Sequence, residues 1–202
     1  MIAVIDYGMG NLRSVEKALE RVGAKAIVTS DPKILSRCDK LVFPGVGAFG
    51  EAMKELKRLK LVGPIKDAID EGKPFLGLCL GLQLLFEKSE EDPGVKGLCV
   101  LKGESRRFKF KGPGLKVPHM GWNCIKKNPK SKLLDGIPDN AYMYFVHSYY
   151  VVPKDKKIAL TITDYGIDFV SGIAKDNIYG IQFHPEKSQE LGLKILKNFV
   201  RS

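Results

Sequence analysis

The sequence predicts an α/β fold: a mostly parallel central sheet with helices on both faces and antiparallel strand additions. Three observations carry that prediction. Fully apolar strand-like runs alternate with amphipathic helical stretches through the first half. Glycine follows the helical patterns at Gly23, Gly63 and Gly72, where helices commonly stop. The second half changes to short strand-like pieces separated by Gly, Pro, Asn and Asp. Strands that are apolar at every position are buried on both faces, as parallel sheets are.

Taken in order, "IAVID" (2–6) is the first buried strand. Leu12, Val15, Leu19 and Val22 then recur at helical spacing and predict a helix that ends at Gly23. "AKAIVTS" (24–30) and "KLVFP" (40–44) are the second and third strands, and helical patterns follow at about 49–60 and 64–71. "PFLGLC" (74–79) is another apolar strand, continued directly as a helix over "LGLQLLFEKS" (80–89). "GLCVLKG", "RRFKFK", "KVPHMGWNCIKK", "AYMYFVHSYYVV", "KIALTITDYG", "DFVSGIAKD" and "NIYGIQF" extend the sheet and add antiparallel hairpins. A last helix, roughly 188–200, puts Leu191, Ile195 and Phe199 on one side. With no internal repeat and no long linker, residues 1–202 are read as a single domain.

With 44% hydrophobic and 28% charged residues, the 202-residue chain has the profile of a soluble globular protein. It should bury about 70% of its unfolded surface, enough for a core without disulfides or metal. Lysine and arginine outnumber acids 33 to 23, giving a formal charge of +10. The basic residues are scattered along helix faces such as "KELKRLK" (54–60), and no basic run is interleaved with aromatics, so no nucleic-acid partner is expected. The opening "MIAVID" is too short an apolar stretch for export, and no run reaches the length of a membrane span. No membrane partner is expected, and the chain reads as cytoplasmic with reduced thiols. Cys38, Cys79, Cys99 and Cys124 never approach C-x-x-C spacing, which argues against a zinc site or a dithiol pair.

At "GKPFLGLCLGLQLL" (72–85) the strand turns into the helix around Cys79, with Gly77 two residues before it and Gly81 two after. A nucleophile elbow needs this pattern, because the strained corner brings helix and strand so close that side chains at those positions collide. The corner also sets the sulfur at a helix N-terminus, whose partial positive charge favours a thiolate. It aims the N–H of Leu80 where an oxyanion would form. A lone cysteine in an apolar strand is otherwise an inert core residue, which is the reading for Cys38, Cys99 and Cys124. The glycine pair alone leaves both readings of Cys79 open.

"GIQFHPEKS" (180–188) supplies a second component. Residues i and i+2 of an extended segment project to one side, so Glu186 can hydrogen-bond the His184 ring. That bond selects a tautomer and leaves the other nitrogen to take a thiol proton. Pro185 is expected to hold the segment extended. Alone, His-Pro-Glu also fits a surface turn. The third component is "FPGVGAFG" (43–50), where Gly45 and Gly47 flank Val46 after the third strand. Open α/β sheets gather ligands at such carboxyl ends, and the loop offers a second oxyanion donor. By itself it is an ordinary strand-to-helix turn.

Together these residues resemble the class I (triad) glutamine amidotransferases, which implies a flavodoxin-like core. G-x-C-x-G-x-Q stands here as Gly77 to Gln83, G-x-x-F-H-P-E stands as Gly180 to Glu186, and the similarity runs from residue 2 to the C-terminus. "IDYGMGNL" (5–12), "PGVGAFG" (44–50), "PHMGWN" (118–123) and "YFVHSY" (144–149) are similar to the branch of the family that serves histidine biosynthesis. The resemblance implies hydrolysis of glutamine to glutamate and ammonia through a glutamyl thioester on Cys79. In it His184 carries the proton, Glu186 orients His184, and the Leu80 and Val46 N–H groups hold the oxyanion. It implies that Gly45, Gly47, Gln83, Ser148 and Tyr149 contact glutamine, with no cofactor and no metal.

The same resemblance implies a heterodimer with a (βα)8-barrel cyclase subunit that takes the ammonia, since the motifs leave no stretch for an acceptor domain. Asn11, Met120, Trp122 and Lys187 then fall at the interface or gate. From the residues alone, Met120 and Trp122 fit core packing equally well. His147 reads as a structural or lining residue, and His119 as part of a partner-facing loop. An unpartnered glutaminase wastes glutamine, so the Gly45–Val46 peptide is expected to turn its carbonyl to the site in the free subunit. Three rival readings stand beside this one. Another class I glutaminase would feed an anthranilate or vitamin pathway. A DJ-1-like or peptidase-like protein shares the elbow cysteine, but Glu186 and Gln83 argue against it. A nucleotide-binding module would use "DYGMGNLR" (6–13) and Asp31, but Arg13 stands where its third glycine should be.

Overall fold

In the computed structural model, which describes residues 1–110, 114–127 and 131–202, the first half alternates as its apolar runs predict. Strands β1 (Ile2–Ile5), β2 (Ala26–Thr29), β3 (Lys40–Phe43) and β4 (Phe75–Leu78) are separated by α1 (Leu12–Arg21), α2 (Pro32–Arg37), α3 (Phe49–Arg58) and α4 (Val62–Asp70). Strand β4 runs through Cys79 into α5 (Leu80–Leu84). The second half contributes β5 (Lys88–Ser89), β6 (Gly103–Arg107), β7 (His119–Lys127), β8 (Ala141–His147) and β9 (Tyr149–Pro153). Then come β10 (Ala159–Asp164), β11 (Asp168–Lys175), β12 (Ile178–Ile181) and the closing helix α6 (Gln189–Arg201).

Strands β2-β1-β3-β4-β12 are parallel in that order. This is the 2-1-3-4-5 order of flavodoxin-like sheets, with β12 as the fifth strand. Beyond β12 the sheet continues antiparallel through β11, β10, β7 and β8, while β9 joins β11 to β6. Alternation along each parallel strand fills two cores: Ala3 and Ile5 face one side, Ile2 and Val4 the other. Helices α2, α3 and α4 pack on the first side through Leu35, Leu56 and Ile65. Helices α1 and α6 pack on the second through Leu19, Ile195 and Phe199. The carboxyl ends of β3, β4 and β12 therefore open on the segments holding Val46, Cys79 and His184.

Four local expectations need correction. Helix α2 has no counterpart in the sequence reading, although Asp31 accepts the Lys33 N–H at 2.8 Å and Pro32 sits in the first turn, a complete helix-start signal. That bond also occupies the carboxylate that the nucleotide-binding reading needed. The helix expected over 80–89 ends at Leu84. The carbonyls of Leu84, Leu85 and Phe86 accept from Leu98, Leu101 and Cys99 at 2.8, 2.9 and 3.3 Å, so the helix has no free acceptors with which to continue. The same bonds make "GLCVLKG" (97–103) an irregular strap rather than a strand, and they leave Cys99 exposed rather than in the core. Cys38 is buried as expected, and Cys124 is half-buried. Of "RRFKFK" (106–111), Arg106 and Arg107 lie in β6, and Lys111 lies outside the described residues.

Phe199 anchors α6 from a fully buried position. Phe199→Ala is expected to lower the unfolding free energy by about 3–5 kcal/mol in urea titration, as large aromatic truncations do; a loss under about 1 kcal/mol would show that α6 is not part of the cooperative core.

Candidate active site

Cys79 adopts φ 54° and ψ −107°, a conformation L-residues rarely accept. The corner is held from both sides. The Cys79 N–H donates to the Ile181 carbonyl at 2.8 Å, and its own carbonyl accepts from Leu82 and Gln83 at 3.1 and 3.3 Å. Both flanking glycines are sterically required. A β-carbon on Gly77 would lie 2.8 Å from the Gly81 carbonyl oxygen, and one on Gly81 would lie 1.8 Å from that of Phe43. The sulfur is not held in the open, as the corner alone suggested. Cys79 is only 6% exposed and is reached through a cavity of about 380 Å³.

His184 stands beyond the end of β12 with its Nδ1 2.8 Å from Glu186 Oε1. The pairing is the expected one, but the backbone producing it is not extended. His184 itself is extended and caps a 3-10 turn over Pro185–Lys187, and the turn brings Glu186 back under the ring. His184 Nε2 makes no full hydrogen bond, and Glu186 Oε2 is likewise buried without a partner. Burial alone would depress the His184 imidazole. The neighbouring Cys79 sulfur and the Glu186 carboxylate outweigh it and raise the ring to about 10. Cys79 thus lies close enough to act on His184 while falling outside strict hydrogen-bond geometry.

The loop after β3 closes the other side. Val46 and Gly47 line the cavity, and Gly47 has φ +100°, a value that suits glycine. The Gly45 carbonyl accepts from the Leu80 N–H at 3.3 Å, so one expected oxyanion donor is already engaged. Gly45 can carry no side chain, since a β-carbon there would lie 2.1 Å from Tyr7 Oη. That hydroxyl is buried without a partner, and burial, with the charge at Cys79, pushes it well above the ordinary tyrosine range. Tyr7 was not singled out from the sequence, where it stood only inside the longer stretches "IDYGMGNL" (5–12) and "DYGMGNLR" (6–13).

Gln83, Ser148 and Tyr149 also line the cavity. Gln83 Nε2 donates to the Tyr149 carbonyl at 3.1 Å and to Gln182 Oε1 at 3.2 Å, so its N–H groups are engaged inside the protein. Sequence reasoning missed Glu91, which lines the same cavity and accepts the Phe49 N–H at 2.9 Å. Burial, with Asp92 beside it, pushes its carboxyl up. The acidic run 90–92 carried no positional signal, because the Phe49 and Gly50 N–H groups that seat Glu91 and Asp92 lie 42 residues away.

His147 borders the cavity, but both of its nitrogens are engaged. Nδ1 lies 2.7 Å from the Tyr149 carbonyl and Nε2 2.9 Å from His119 Nδ1. His119 is not on a partner-facing loop. It is buried at the start of β7, with Nε2 3.2 Å from Asn123 Nδ2. A carbonyl at one end and an amide donor at the other make both rings neutral, each with one N–H. Burial depresses His119 to about 4 and, ahead of the neighbouring charges, His147 to about 3.

The expected interface residues gather on one face. Met120 and Trp122 project from β7 with 62% and 47% exposure, which rules out core packing, and Tyr142 beside them on β8 is 61% exposed. Trp122 packs edge-on to Tyr144 at 5.9 Å, and Lys187 Nζ lies 5.7 Å from the same ring. Asn11 is exposed at the start of α1, its side chain making no capping bond. It shares a crevice of about 20 Å³ with Val46, His184 and Lys187. A broader hollow of about 840 Å³, bordered by Trp122 and Tyr142, holds none of the reactive groups.

A family model described as glutamine amidotransferase class-I matches residues 3–202, and the chain belongs to that family. It is 56% identical over 199 residues to the imidazole glycerol phosphate synthase subunit HisH of Aquifex aeolicus, covering 98% of this chain and 95% of the relative. It is 54% identical over 202 residues to the subunit of the same name in Methanothermobacter thermautotrophicus, covering 99% and 98%. Among solved structures, one described as a glutamine amidotransferase superposes with a TM-score of 0.78 at 17% identity, covering all of both chains. PurLQS from Thermotoga maritima superposes at 0.73 with 18% identity, covering 99% and 97%. These two likenesses carry the fold.

The neutral histidine pair sets an acid limit. Stability rises with pH wherever the unfolded chain binds more protons. Both rings titrate near 6.5 when unfolded and well below it when folded, so their contribution is complete above 6.5 and is lost as pH falls toward 4 and 3. Urea titrations should show the unfolding free energy falling between about pH 6 and 5, above the range of ordinary carboxylates. Stability unchanged across that window contradicts the assignment.

Proposed function

We propose that the chain is the glutaminase subunit of imidazole glycerol phosphate synthase, hydrolysing glutamine through a thioester on Cys79 and passing ammonia to a cyclase. The observation that carries the reading is the meeting of three groups: a sulfur at a strained corner, an imidazole that the sulfur helps to raise, and a buried carboxylate 2.8 Å from that ring's Nδ1. His184, raised by the sulfur and by Glu186, carries the proton of the Cys79 thiol when the sulfur attacks the amide carbon and delivers it to departing ammonia, while Glu186 holds the ring's orientation. Water then attacks the thioester, with His184 as its base. Ser148, Tyr149, Gly47 and the remaining oxygen of Gln83 would meet the ends of glutamine. Glu91 would pair with its ammonium group.

The Gly45 carbonyl on the Leu80 N–H supports a resting form in which the oxyanion site is closed. Turning the Gly45–Val46 peptide would free Leu80 and bring the Val46 N–H inward. The partner proposed is a (βα)8-barrel cyclase, seated on the face of Met120, Trp122 and Tyr142. Its contact would reach the site through Tyr144, Lys187 and Asn11. The family match over residues 3–202 supports reading the chain as one glutaminase domain. Among the described residues no helix is long and apolar enough to cross a membrane, and all four cysteines are free thiols. A cytoplasmic place suits both.

Glutamate release, measured on the chain alone and with the cyclase and its ligand, should rise by about 10²–10³ on pairing, the worth of one oxyanion donor. Cys79→Ala should abolish it in both states. High activity in the free chain that pairing does not change would contradict the closed resting form. Trp122→Ala should weaken cyclase binding by about 2 kcal/mol or more in titration calorimetry, as a central aromatic anchor does; unaltered affinity would move the interface elsewhere.

A further inference from the structure

One backbone oxygen fixes the direction of a hydrogen-bond chain that ends on the Cys79 sulfur. The Tyr149 carbonyl can only accept, so Gln83, 3.1 Å away, presents its N–H groups inward. Their second target, Gln182 at 3.2 Å, must then present its oxygen. The Gln182 amide is thereby turned with its own N–H groups toward Cys79, Nε2 standing 3.5 Å from Sγ. Gln182 is fully buried, and its backbone N–H is tied to the Ser171 carbonyl at 2.8 Å. With its oxygen committed to Gln83 and no solvent contact, its free amide edge faces the sulfur.

We infer that Gln182 is a catalytic hydrogen-bond donor to Cys79, stabilising the sulfur whenever it carries negative charge. This rests on Cys79 being the nucleophile. Charge arises twice. During acylation the sulfur forms its bond to carbon with the thiol proton held on His184, and the carbon–nitrogen bond then breaks with that proton going to ammonia. During deacylation water adds to the thioester, the sulfur–carbon bond breaks, and the sulfur leaves as a thiolate that His184 reprotonates. At both points a donor fixed in a dry site favours the anion more than the neutral thiol. A purely structural Gln182 would hold Gln83 and leave the sulfur's chemistry unchanged.

The test is the pH dependence of iodoacetamide alkylation at Cys79, reached through its cavity, in the full chain, followed on the Cys79 peptide because the exposed Cys99 reacts as well. Gln182→Met keeps the shape and removes the donor. Gln182→Glu keeps an acceptor for Gln83 and sets a carboxylate oxygen against the sulfur; it carries the test if the Met variant does not fold. Loss of one hydrogen bond to a charged acceptor corresponds to about tenfold or more in thiolate population. The alkylation midpoint should therefore move up by about one pH unit in Gln182→Met and further in Gln182→Glu. Midpoints that match the unsubstituted chain in the folded variants overturn the inference while leaving the glutaminase reading intact. No alkylation at Cys79 in the unsubstituted chain overturns both.

Discussion

The corner at Cys79 is the constraint on which the rest of the site depends. A non-glycine residue at φ 54° carries strain on the order of 1–3 kcal/mol, and such strain persists only where the surroundings over-determine it. Here the parallel sheet does so. Strand β12 holds the Cys79 N–H, the first turn of α5 holds its carbonyl, and β3 lies so close that Gly81 has no room for a methyl group. Each of those neighbours also brings chemistry: β12 delivers Gln182 and His184, β3 delivers the Gly45–Val46 peptide, and α5 delivers Leu80 and Gln83. The sheet order that buries the core also converges these groups on one sulfur.

The antiparallel half has a different task. Strands β7 and β8 expose Met120, Trp122 and Tyr142 on one face, while His119 and His147 point inward from the same strands. The two histidines are wired between Asn123 and the Tyr149 carbonyl, and that carbonyl also orients Gln83. On the proposed docking of the cyclase at this face, a displacement of β7 would have a physical route to the cavity wall. The Lys187–Tyr144–Trp122 stack supplies a second route, to the turn that carries Glu186. Both begin on the exposed face and end at groups that must hold position to within fractions of an ångström for acyl transfer.

Much of this was legible in the chain because each feature had a local cause. The elbow followed from Gly77 and Gly81, and the parallel strands from apolar runs such as "IAVID". The His184–Glu186 pair followed from spacing, although a 3-10 turn rather than an extended segment supplies the geometry. What stayed hidden depended on distant partners. The early stop of α5 comes from a strap whose N–H groups take its carbonyls, and Glu91 is seated at the cavity by the N–H of Phe49, 42 residues away. Cys99 looked like core because its neighbours are apolar, yet the strap leaves it outside. Tyr7 and Gln182 matter through single contacts with Gly45 and Cys79 that no periodicity encodes. Helix α2 is the exception, since Asp31-Pro32 announced it locally.

The central claim is that a glutamyl group passes through the Cys79 sulfur. The most direct measurement is acid quenching of the chain with its cyclase during turnover of isotope-labelled glutamine, followed by peptide mass spectrometry. The account predicts a labelled glutamyl thioester on the Cys79 peptide that disappears on treatment with hydroxylamine. Steady glutamate production with that peptide never labelled, or with label on another residue, would contradict it.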